Sequence, residues 1–418
     1  MKIEELYKYY KQHFLVDTDT RSIRKNTIFF ALKGPNFNGN AFAEKALDAG
    51  AIYSIVEEPI YVTKPNILLV ENVLETLQKL ANYHRKQLNI PIIGLTGSNG
   101  KTTTKELLHT VLSKKYKTVA TVGNLNNHIG VPLTLLSMNA ETEIGIVEMG
   151  ANHQKEIELL SHLCEPNFGY ITNFGKAHLE GFGGIEGVIK GKSELYTYLK
   201  NEGGIAIVNP NDKIQLEKTN EIKRIFFEEK LILKKATPFV AVDYKNTTIE
   251  SKLIGTYNFA NICAAITFGH YFGIESTDIK DALESYVPSN NRSQIIKKGT
   301  HTIVLDAYNA NPTSMKAAIE SFKTMEGENK VLILGDMFEL GKYELEEHQK
   351  ITILLKSTTF KKVYLIGELF HEISTDCLKF KEFSDFKNHL KTQNLSNCTI
   401  LIKGSRGMQL ERVLELLN

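Results

Sequence analysis

The sequence has few cysteines, almost no net charge and no long apolar segment, and each absence excludes a class of protein. Its four cysteines are scattered without CxxC or metal-ligand spacing, which indicates small core residues in a reducing compartment. They are Cys164, Cys263, Cys377 and Cys398. A formal net charge of +2 argues against a general nucleic-acid or membrane partner. No apolar run approaches the roughly 18 residues of a membrane-spanning helix, and the polar start MKIEELYKYY lacks a signal peptide's apolar region. We therefore expect a cytoplasmic protein without nucleic-acid partners or stable membrane association. We also expect a monomer.

The length and composition predict a globular protein of several domains. A chain of 418 residues exceeds what one hydrophobic core usually supports, so two or three domains are expected. The hydrophobic content of 42% and the charged content of 23% are those of an ordinary globular protein. We divide the chain into residues 1–88, 89–287 and 288–418, with the turn-rich segment Val287–Asn291 as a linker.

In all three parts, short apolar runs alternate with helical spacing, which predicts an α/β fold with mostly parallel sheets. The first part has predicted strands at Thr27–Leu32, Ala51–Val56 and Ile67–Val70, and helices at Phe42–Ala49 and Val73–Leu88. The second has strands at Ile92–Leu95, Ile144–Met149, Gly169–Thr172 and Ile205–Val208, weaker strands such as Phe239–Val242, and a helix at Asn258–Phe272. The third, a second doubly wound domain, has strands at Thr302–Leu305, Lys330–Leu334, Val363–Ile366 and Thr399–Ile402.

The most informative stretch, IPIIGLTGSNGKTTTKELLHTVL (90–112), passes from a β-branched run through a glycine loop into helical spacing. Backbone N–H groups of such a loop can hold phosphates at a helix N-terminus, where the helix dipole favours negative charge. The loop consists of Thr96, Gly97, Ser98, Asn99, Gly100, Lys101 and Thr102. Lys101 can reach the terminal phosphates, and the Thr102 hydroxyl suits a Mg²⁺ ion. A simple turn would explain the glycines but not the Gly-Lys-Thr-Thr run. Because Leu95 stands where the common G-x-x-x-x-G-K-[ST] loop has its first glycine, this is the shorter form T-G-x-x-G-K-T.

Two further candidates follow predicted strands of the central sheet. Glu148 lies at the carboxyl end of a strand, where open α/β sheets bind ligands, and beside a phosphate loop this is the position of an acid that holds the nucleotide's Mg²⁺. A carboxylate there can also be solvated or cap a helix. His178 emerges from the same sheet edge and imidazole can ligate a metal, whereas a loop histidine can equally be a packing residue. Spacing alone gives Lys192 no role beyond that of a solvated helix lysine.

In the third part, three predicted strands run into polar loops within residues 304–319, 332–341 and 400–411. Because the carboxyl ends of parallel strands meet at one edge of a sheet, we expect these loops to line a common crevice opposite the phosphate loop. Asparagine and aspartate after a strand can also serve only as turn and cap residues.

Together, these motifs resemble the Mur ligase family, which builds the peptide stem of bacterial peptidoglycan. The loop at 96–102 matches the family's short phosphate loop, AHLEGFG with GKSEL (177–195) is similar to its metal and modified-lysine region, and DTRSIRKNTIFFALKG (19–34) resembles its uridine-nucleotide domain. Four motifs are similar to the family member that adds D-alanyl-D-alanine. They are GNLNNHIGVPLTLL (123–136), VEMGANHQKEI (147–157), DAYNANPTSM (306–315) and LGDMFELG (334–341). The resemblance covers nearly the whole chain.

The resemblance implies an ATP-dependent amide ligase with three domains. These would be an N-terminal α/β uridine-nucleotide domain, a central P-loop-type domain with a mostly parallel sheet, and a C-terminal Rossmann-like domain. The implied substrates are UDP-N-acetylmuramoyl-tripeptide and D-alanyl-D-alanine, joined through an acyl phosphate during peptidoglycan precursor synthesis. By the same resemblance, Thr102 and Glu148 would hold one Mg²⁺, His178 would help to hold a second, and Lys192 would carry a carbamate.

The resemblance also implies the remaining contacts. Asn261, Arg292 and Asp306 would contact the adenosine part of ATP. Substrate contacts would come from Thr20 and Arg21 in the uridine-nucleotide domain and, on the acceptor side, from Asn309, Asn311, Lys403, Ser405 and Arg406. The chain departs from the family at three places, where G-H-N reads Gly255-Thr256-Tyr257-Asn258, Gly-Arg reads Asn291-Arg292, and D-G-H reads Asn38-Gly39-Asn40.

Other readings of the sequence remain open. Another Mur ligase, or a relative of folylpolyglutamate synthetase, would share the phosphate loop, Glu148, His178 and Lys192, and only the motifs at 306–315 and 334–341 argue against these. A nucleotide-binding regulatory protein with a degenerate site belongs to a different class. The intact set of Lys101, Thr102, Glu148 and His178 argues against that reading.

Overall fold

Three parallel or mostly parallel sheets follow one another along the chain in the computed structural model, which describes residues 1–245, 247–289 and 291–417. Asn290, which belongs to the predicted linker, lies outside the described residues. The sheets establish the α/β fold class and the three-domain architecture predicted from the sequence. The domain borders at residues 88 and 287 stay a proposal.

The N-terminal domain is a four-stranded parallel sheet in the order β1-β2-β5-β6, with a small β3-β4 hairpin. Its strands are β1 Val16–Asp17, β2 Ile28–Phe30, β3 Lys33–Gly34, β4 Phe37–Asn38, β5 Tyr53–Val56 and β6 Ile67–Leu69, and its helices are α1 Ile3–Tyr10, α2 Ala43–Asp48 and α3 Val73–Leu88. Helix α3 begins where the side chain of Asn72 accepts a hydrogen bond from the Glu75 N–H at 2.8 Å. Its apolar face, with Leu77 and Leu80 buried, packs against α1 and the central domain.

The central domain has a six-stranded parallel sheet in the order β12-β11-β10-β7-β9-β8. Its strands are β7 Ile92–Thr96, β8 Thr118–Ala120, β9 Ile144–Glu148, β10 Phe168–Ile171, β11 Ile205–Val208 and β12 Lys223–Phe226. The helices between them are α4 Lys101–Leu112, α5 Gly130–Leu136, α6 Glu156–Cys164, α7 Leu179–Phe182, α8 Ile185–Glu202 and α9 Lys213–Lys218. The chain builds β8 and β9 on one side of β7 and then crosses to β10 on the other. The topological switch point, where such sheets bind ligands, therefore lies at the end of β7.

An antiparallel three-stranded sheet and two helices complete the central domain. They are β13 Ile232–Lys235, β14 Ala241–Tyr244, β15 Thr247–Glu250, α10 Asn258–Tyr271 and α11 Ser276–Ser285. Helix α10 is apolar on nearly all sides and is buried against α4, so it fixes the helix that follows the phosphate loop.

The C-terminal domain has six strands in the order β16-β17-β21-β18-β19-β20, in which only the edge strand β16 pairs antiparallel. The strands are β16 Gln294–Lys298, β17 His301–Asp306, β18 Val331–Gly335, β19 Lys362–Ile366, β20 Leu378–Phe380 and β21 Thr399–Lys403. The helices are α12 Pro312–Thr324, α13 Glu344–Lys356, α14 Glu368–Glu372 and α15 Phe383–Lys391. The late strand β21 lies between β17 and β18, which brings the polar ends of β17 and β21 side by side.

Every strand and helix predicted above has a counterpart in the structure within a few residues. The short or edge strands β1, β8, β12, β16 and β20 were not predicted, because their two to five residues carry too little apolar pattern to distinguish them from loops. Three of the four cysteines are buried as expected, while Cys377 is only half-buried. Among the described residues, no helix is long and apolar enough to cross a membrane.

Candidate active site

A cavity of about 670 Å³ lies where the carboxyl edge of the central sheet faces that of the C-terminal sheet. The central domain contributes the phosphate loop, the loop after β8 and the ends of β9 and β10. The C-terminal domain contributes the start and end of its β16-β17 hairpin, the start of α12 and the end of β21. Among the predicted site residues, the lining includes Ser98, Asn99, Gly100, Lys101, Thr102, Glu148, His178, Asn261, Arg292, Asp306, Asn309, Asn311 and Lys403.

The phosphate loop joins β7 to α4 through two glycines whose backbone angles and close neighbours disfavour any side chain. Gly97 and Gly100 have φ angles of +138° and +79°, which side chains rarely adopt. A Cβ on Gly97 would lie 2.0 Å from the Thr172 hydroxyl, and one on Gly100 would lie 2.8 Å from the Asn261 amide oxygen. No side chain caps the first turn of α4. Its backbone N–H groups are therefore available to an anion, with the positive end of the helix dipole behind them.

Lys101 folds back over this loop. Its Nζ donates to the Gly97 carbonyl at 2.7 Å. Burial lowers the pKa of Lys101, Arg292 lowers it further, and the charge of Glu148 opposes both effects. The side chain is thus held beside the phosphate position by a neutral backbone acceptor, which a phosphate oxygen could replace.

Thr102 and Glu148 form an oxygen-rich pair in the cavity lining. The Thr102 hydroxyl donates to Glu148 Oε2 at 2.9 Å, and the Asn126 amide donates to Oε1 at 2.8 Å. Within the described residues, no group of three or more His, Cys, Asp or Glu side chains could hold a metal alone. One hydroxyl and one carboxylate fit Mg²⁺, which keeps several waters and binds through few protein oxygens together with substrate phosphates.

Lys192 lies on α8 behind the cavity wall rather than in it. Its side chain is 1% exposed, its Nζ donates to the Ala151 carbonyl at 3.0 Å, and the Phe182 ring centre is 5.0 Å away. Burial lowers the pKa of Lys192 well below its usual value, and the nearby charge of Lys101 lowers it further. The prediction from spacing alone, that Lys192 is a solvated surface lysine, is therefore wrong. An unmodified amine offers no anionic oxygen to a metal ion.

Two glycines one turn apart on α8 set the position of α7. A Cβ on Gly187 would lie 1.8 Å from the Phe182 carbonyl oxygen, and one on Gly191 would lie 2.4 Å from the Phe182 ring. Helix α7 can therefore lie directly on α8. His178, the N-cap residue directly before α7, has a left-handed φ of +52°. His178 Nδ1 lies 2.6 Å from Glu339 Oε2 of the C-terminal domain, although the two atoms lack hydrogen-bond alignment.

The predicted adenosine residues form two connected groups. Asn261 is buried, accepts a hydrogen bond from Thr104 at 3.1 Å and donates to Asn258 at 2.8 Å. Asp306 accepts from Lys403 Nζ at 2.6 Å and from the Ser293 N–H at 3.0 Å. The guanidinium of Arg292 stacks 3.6 Å from the centre of the Tyr308 ring, which leaves one face of the guanidinium plane for a ligand.

Tyr257, at the position where the resemblance leads one to expect a histidine, connects the two groups: it precedes Asn258 of the first group in the chain and contacts Ser293 of the second. It lies beside α10 in the cavity lining, and its hydroxyl is 2.8 Å from the Ser293 hydroxyl. Burial raises the pKa of Tyr257, so the neutral hydroxyl is the form present at neutral pH. The position therefore retains a hydrogen-bonding group.

Asn309 and Asn311 both reach the cavity, but much of their hydrogen-bonding capacity is already used. Asn311 caps α12 by accepting from the Ser314 N–H at 2.9 Å, and its Nδ2 donates to Asn99 Oδ1 of the phosphate loop at 2.7 Å. Asn309 accepts the N–H of Ala310 at 2.9 Å. Asn311 therefore acts as a helix cap and as a contact between domains, in addition to any role toward a substrate.

Four predicted substrate residues lie outside the cavity lining. Ser405 is buried and accepts the Phe338 N–H at 2.9 Å; Arg406 is exposed near Glu411. Arg21 forms an exposed ion pair with Asp19, and Thr20 lies next to it in the N-terminal domain. The loop at 334–341, expected in the common crevice, is likewise absent from the described lining and contacts the segment after His178 instead.

Sequence reasoning did not single out the asparagines that complete the cavity. Asn124, Asn126 and Asn127 line it together with His128, and Asn173 accepts the Asn99 N–H at 3.1 Å. The first four belong to the motif at 123–136 that carried part of the resemblance. An uncharged amide gives no chemical signal in a sequence until its neighbours in space are known.

Comparisons with known proteins agree on one family. The pattern of the Mur ligase middle domain matches residues 95–269, and that of the Mur ligase glutamate ligase domain matches residues 291–406. The chain is 35% identical to the UDP-N-acetylmuramoyl-tripeptide–D-alanyl-D-alanine ligase of Bacillus subtilis, over 96% of this chain and 92% of that protein. Among solved structures, it is similar to MurF from Acinetobacter baumannii, with a TM-score of 0.86, 32% identity, and coverage of 96% and 92% of the two chains. It is also similar to the MurF ligase from Thermotoga maritima in complex with ADP, with a TM-score of 0.84, 29% identity and 96% coverage of each chain.

Proposed function

This chain belongs to the Mur ligase family, and we propose that it joins D-alanyl-D-alanine to UDP-N-acetylmuramoyl-tripeptide in peptidoglycan precursor synthesis. It is an ATP-dependent ligase that forms an amide bond. ADP and phosphate are its other products. The observation that supports the proposal most strongly is the single cavity in which the phosphate loop and Glu148 face Arg292, Asp306 and Asn309 of another domain.

The chemistry requires an activated carboxylate, because a free carboxylate is a poor electrophile and oxide is a poor leaving group. Transfer of the γ-phosphoryl group of ATP to the terminal carboxylate of the tripeptide gives an acyl phosphate. The amine of D-alanyl-D-alanine then attacks the acyl carbon, and a proton leaves the nitrogen. The bond between the acyl carbon and the bridging oxygen breaks, and phosphate departs with that oxygen and the electron pair of the bond. Both steps concentrate negative charge, so positioning and charge stabilisation are the protein's main contributions.

Lys101 and the N–H groups at the start of α4 bind the phosphates in this proposal. Lys101 exchanges the Gly97 carbonyl for a phosphate oxygen. The positive charge of its ammonium group then lies next to the phosphoryl group being transferred. Thr102 and Glu148 hold one Mg²⁺, and His178 helps to hold a second. Bound Mg²⁺ supplies positive charge that screens the phosphoryl oxygens.

We propose that Lys192 acts as a carbamate. Carbamylation requires a neutral amine, and the lowered pKa of the buried Lys192 increases the neutral fraction. The carbamate would give α8 an anionic pair of oxygens next to Ala151, which lines the cavity. Phe182, whose ring faces the amine at 5.0 Å, favours a cation over an anion, so this contact does not itself stabilise the carbamate.

The C-terminal domain protects the intermediate from water in this proposal. Its contacts with the central domain include Asn311 to Asn99 at 2.7 Å and Lys176 to Glu347 at 2.7 Å. Water excluded by these contacts cannot hydrolyse the acyl phosphate. We also propose that the enzyme is a monomer that works in the cytoplasm, where ATP and nucleotide-linked sugars are made.

The test is ADP formation with purified protein, ATP and Mg²⁺, with UDP-N-acetylmuramoyl-tripeptide and D-alanyl-D-alanine added separately and together. We expect rapid ADP formation only with both, and a ligated product of the summed mass less water. Equal turnover with a shorter UDP-linked substrate and a single amino acid would indicate a different Mur ligase. ADP formation that depends on folyl substrates would identify a folylpolyglutamate-synthetase-like enzyme. A rate of ADP formation that no added substrate changes would contradict the ligase assignment.

A further inference from the structure

Glu339 reaches from the C-terminal domain to the histidine at the start of α7. Its Oε2 lies 2.6 Å from His178 Nδ1, with side-chain exposures of 48% for Glu339 and 20% for His178. Glu339 does not line the cavity, whereas His178 does.

The backbone around this contact is held in an unusual conformation on both sides. Glu339 has a φ of +63° and His178 a φ of +52°, which costs non-glycine residues of order 1 kcal/mol or more each. The N–H of Glu180 also donates to the Glu339 carbonyl at 3.1 Å. Below the contact, Leu179, Phe182 and Leu340 are buried in one cluster. Packing from two domains therefore holds two strained residues against each other, as occurs where a precise side-chain position is required.

The direction of the contact determines which ring nitrogen of His178 is available. With Nδ1 turned toward Glu339, Nε2 is the nitrogen left for a ligand in the cavity. A carboxylate that accepts a hydrogen bond from one imidazole nitrogen fixes the tautomer and makes the other nitrogen a better metal ligand. The Nδ1–Oε2 distance of 2.6 Å is within hydrogen-bond range, and hydrogen bonds at active sites that are poorly aligned without a ligand commonly become aligned when one binds.

We propose that Glu339 is a positioning residue for His178, so that His178 becomes a competent metal ligand only when the C-terminal domain is seated on the central domain. This rests on the proposed function, because it takes His178 as a ligand of the second divalent ion. The competing explanation is that Glu339 only helps to hold the domains together. The side chains of Lys176 and Glu347 form an ion pair at 2.7 Å that joins the same two domains. Neither residue lines the cavity, so removal of the Lys176 side chain provides a matched control.

The experiment titrates Mn²⁺, a paramagnetic substitute for Mg²⁺, into the full chain with a non-hydrolysable ATP analogue, and follows free Mn²⁺ by electron paramagnetic resonance. For the unaltered protein we expect a tight ion and a weaker one. Glu339→Ala and Glu339→Gln should raise the Kd of the weaker ion about 10- to 100-fold, while the control Lys176→Ala leaves it unchanged. Glu339→Gln retains the size of the side chain, so it preserves the test if Glu339→Ala does not fold.

A double-mutant cycle separates positioning from simple attachment of the domains. In a His178→Ala background, adding Glu339→Ala should not weaken Mn²⁺ binding further, because the group to be positioned is gone. Additive effects, an unchanged Kd in both Glu339 variants, or an equal effect of Lys176→Ala would overturn the inference. If the unaltered protein binds only one ion, the proposed second-ion role of His178 fails as well, and the substrate-dependent ADP assay shows separately whether the ligase assignment holds.

Discussion

Replacing Lys192 tests the least ordinary part of the proposed chemistry. A free lysine with a pKa of about 10.4 is neutral about once in 10³ molecules at pH 7. Each unit by which burial lowers the pKa raises the neutral fraction about tenfold, and Lys192 is 1% exposed with its pKa well below the usual value. We expect Lys192→Ala to lose activity by at least about 10²-fold, the scale seen when one group that stabilises developing charge is removed.

The structure also indicates how the loss can be reversed. Truncation to alanine removes Cγ, Cδ, Cε and Nζ from a fully enclosed space, and acetate has the same number of heavy atoms. Acetate or bicarbonate should therefore restore part of the rate to Lys192→Ala. Lys192→Arg should stay inactive, since arginine cannot form a carbamate and would bring a positive charge toward the metal site.

The assays are ADP formation with both substrates and ¹³C NMR after incubation with labelled bicarbonate. A carbamate signal should be present in the unaltered protein and absent from Lys192→Met, which fills the same space without an amine. Lys192→Ala leaves a cavity and should cost about 2–5 kcal/mol of unfolding free energy, so Lys192→Met also controls for stability. Full activity in Lys192→Arg would refute the reasoning, because a cation would then serve as well as a carbamate.

Three further predictions concern other parts of the chain. Lys101→Ala should abolish ligation without changing the unfolding temperature, and near-normal turnover at saturating ATP would rule out the phosphate-loop assignment. Gly191→Ala would place a Cβ 2.4 Å from the Phe182 ring and should cost about 1–3 kcal/mol; Gly34→Ala, with open space around it, is the control for thermal unfolding. Burial lowers the pKa of His84, so the unfolded chain takes up its proton at a higher pH than the folded protein does. The contribution of neutral His84 to the free energy of unfolding should therefore be fully present above about pH 6.5 and fall by up to about 1.4 kcal/mol per pH unit below it. An equally steep fall in the His84→Gln variant would contradict this.

The sequence by itself determined the fold class, most of the elements and the chemistry of the phosphate loop. These depend on local patterns. Buried strands such as β9 are continuous apolar runs, and Gly97 and Gly100 are required by backbone angles that few other residues adopt. Lys101 and Thr102 follow directly in the chain, so their spacing alone places them at the helix start. The same applies to Glu148, because the last residue of a parallel strand lies at the ligand-binding edge wherever the strand sits in the sheet.

Only the tertiary structure decided the environment of residues whose partners are distant in the chain. Lys192 reads as an ordinary helix lysine until Gly187 and Gly191 bring Phe182 over it and burial lowers its pKa. Ser405 has a polar side chain suited to a substrate, yet its hydroxyl already accepts a hydrogen bond from the Phe338 N–H. The approach of Glu339 to His178 joins two domains across 161 positions of sequence (339 − 178). Hydrogen bonding and desolvation act over a few ångströms in space, and no spacing along the chain encodes which groups will meet at that distance.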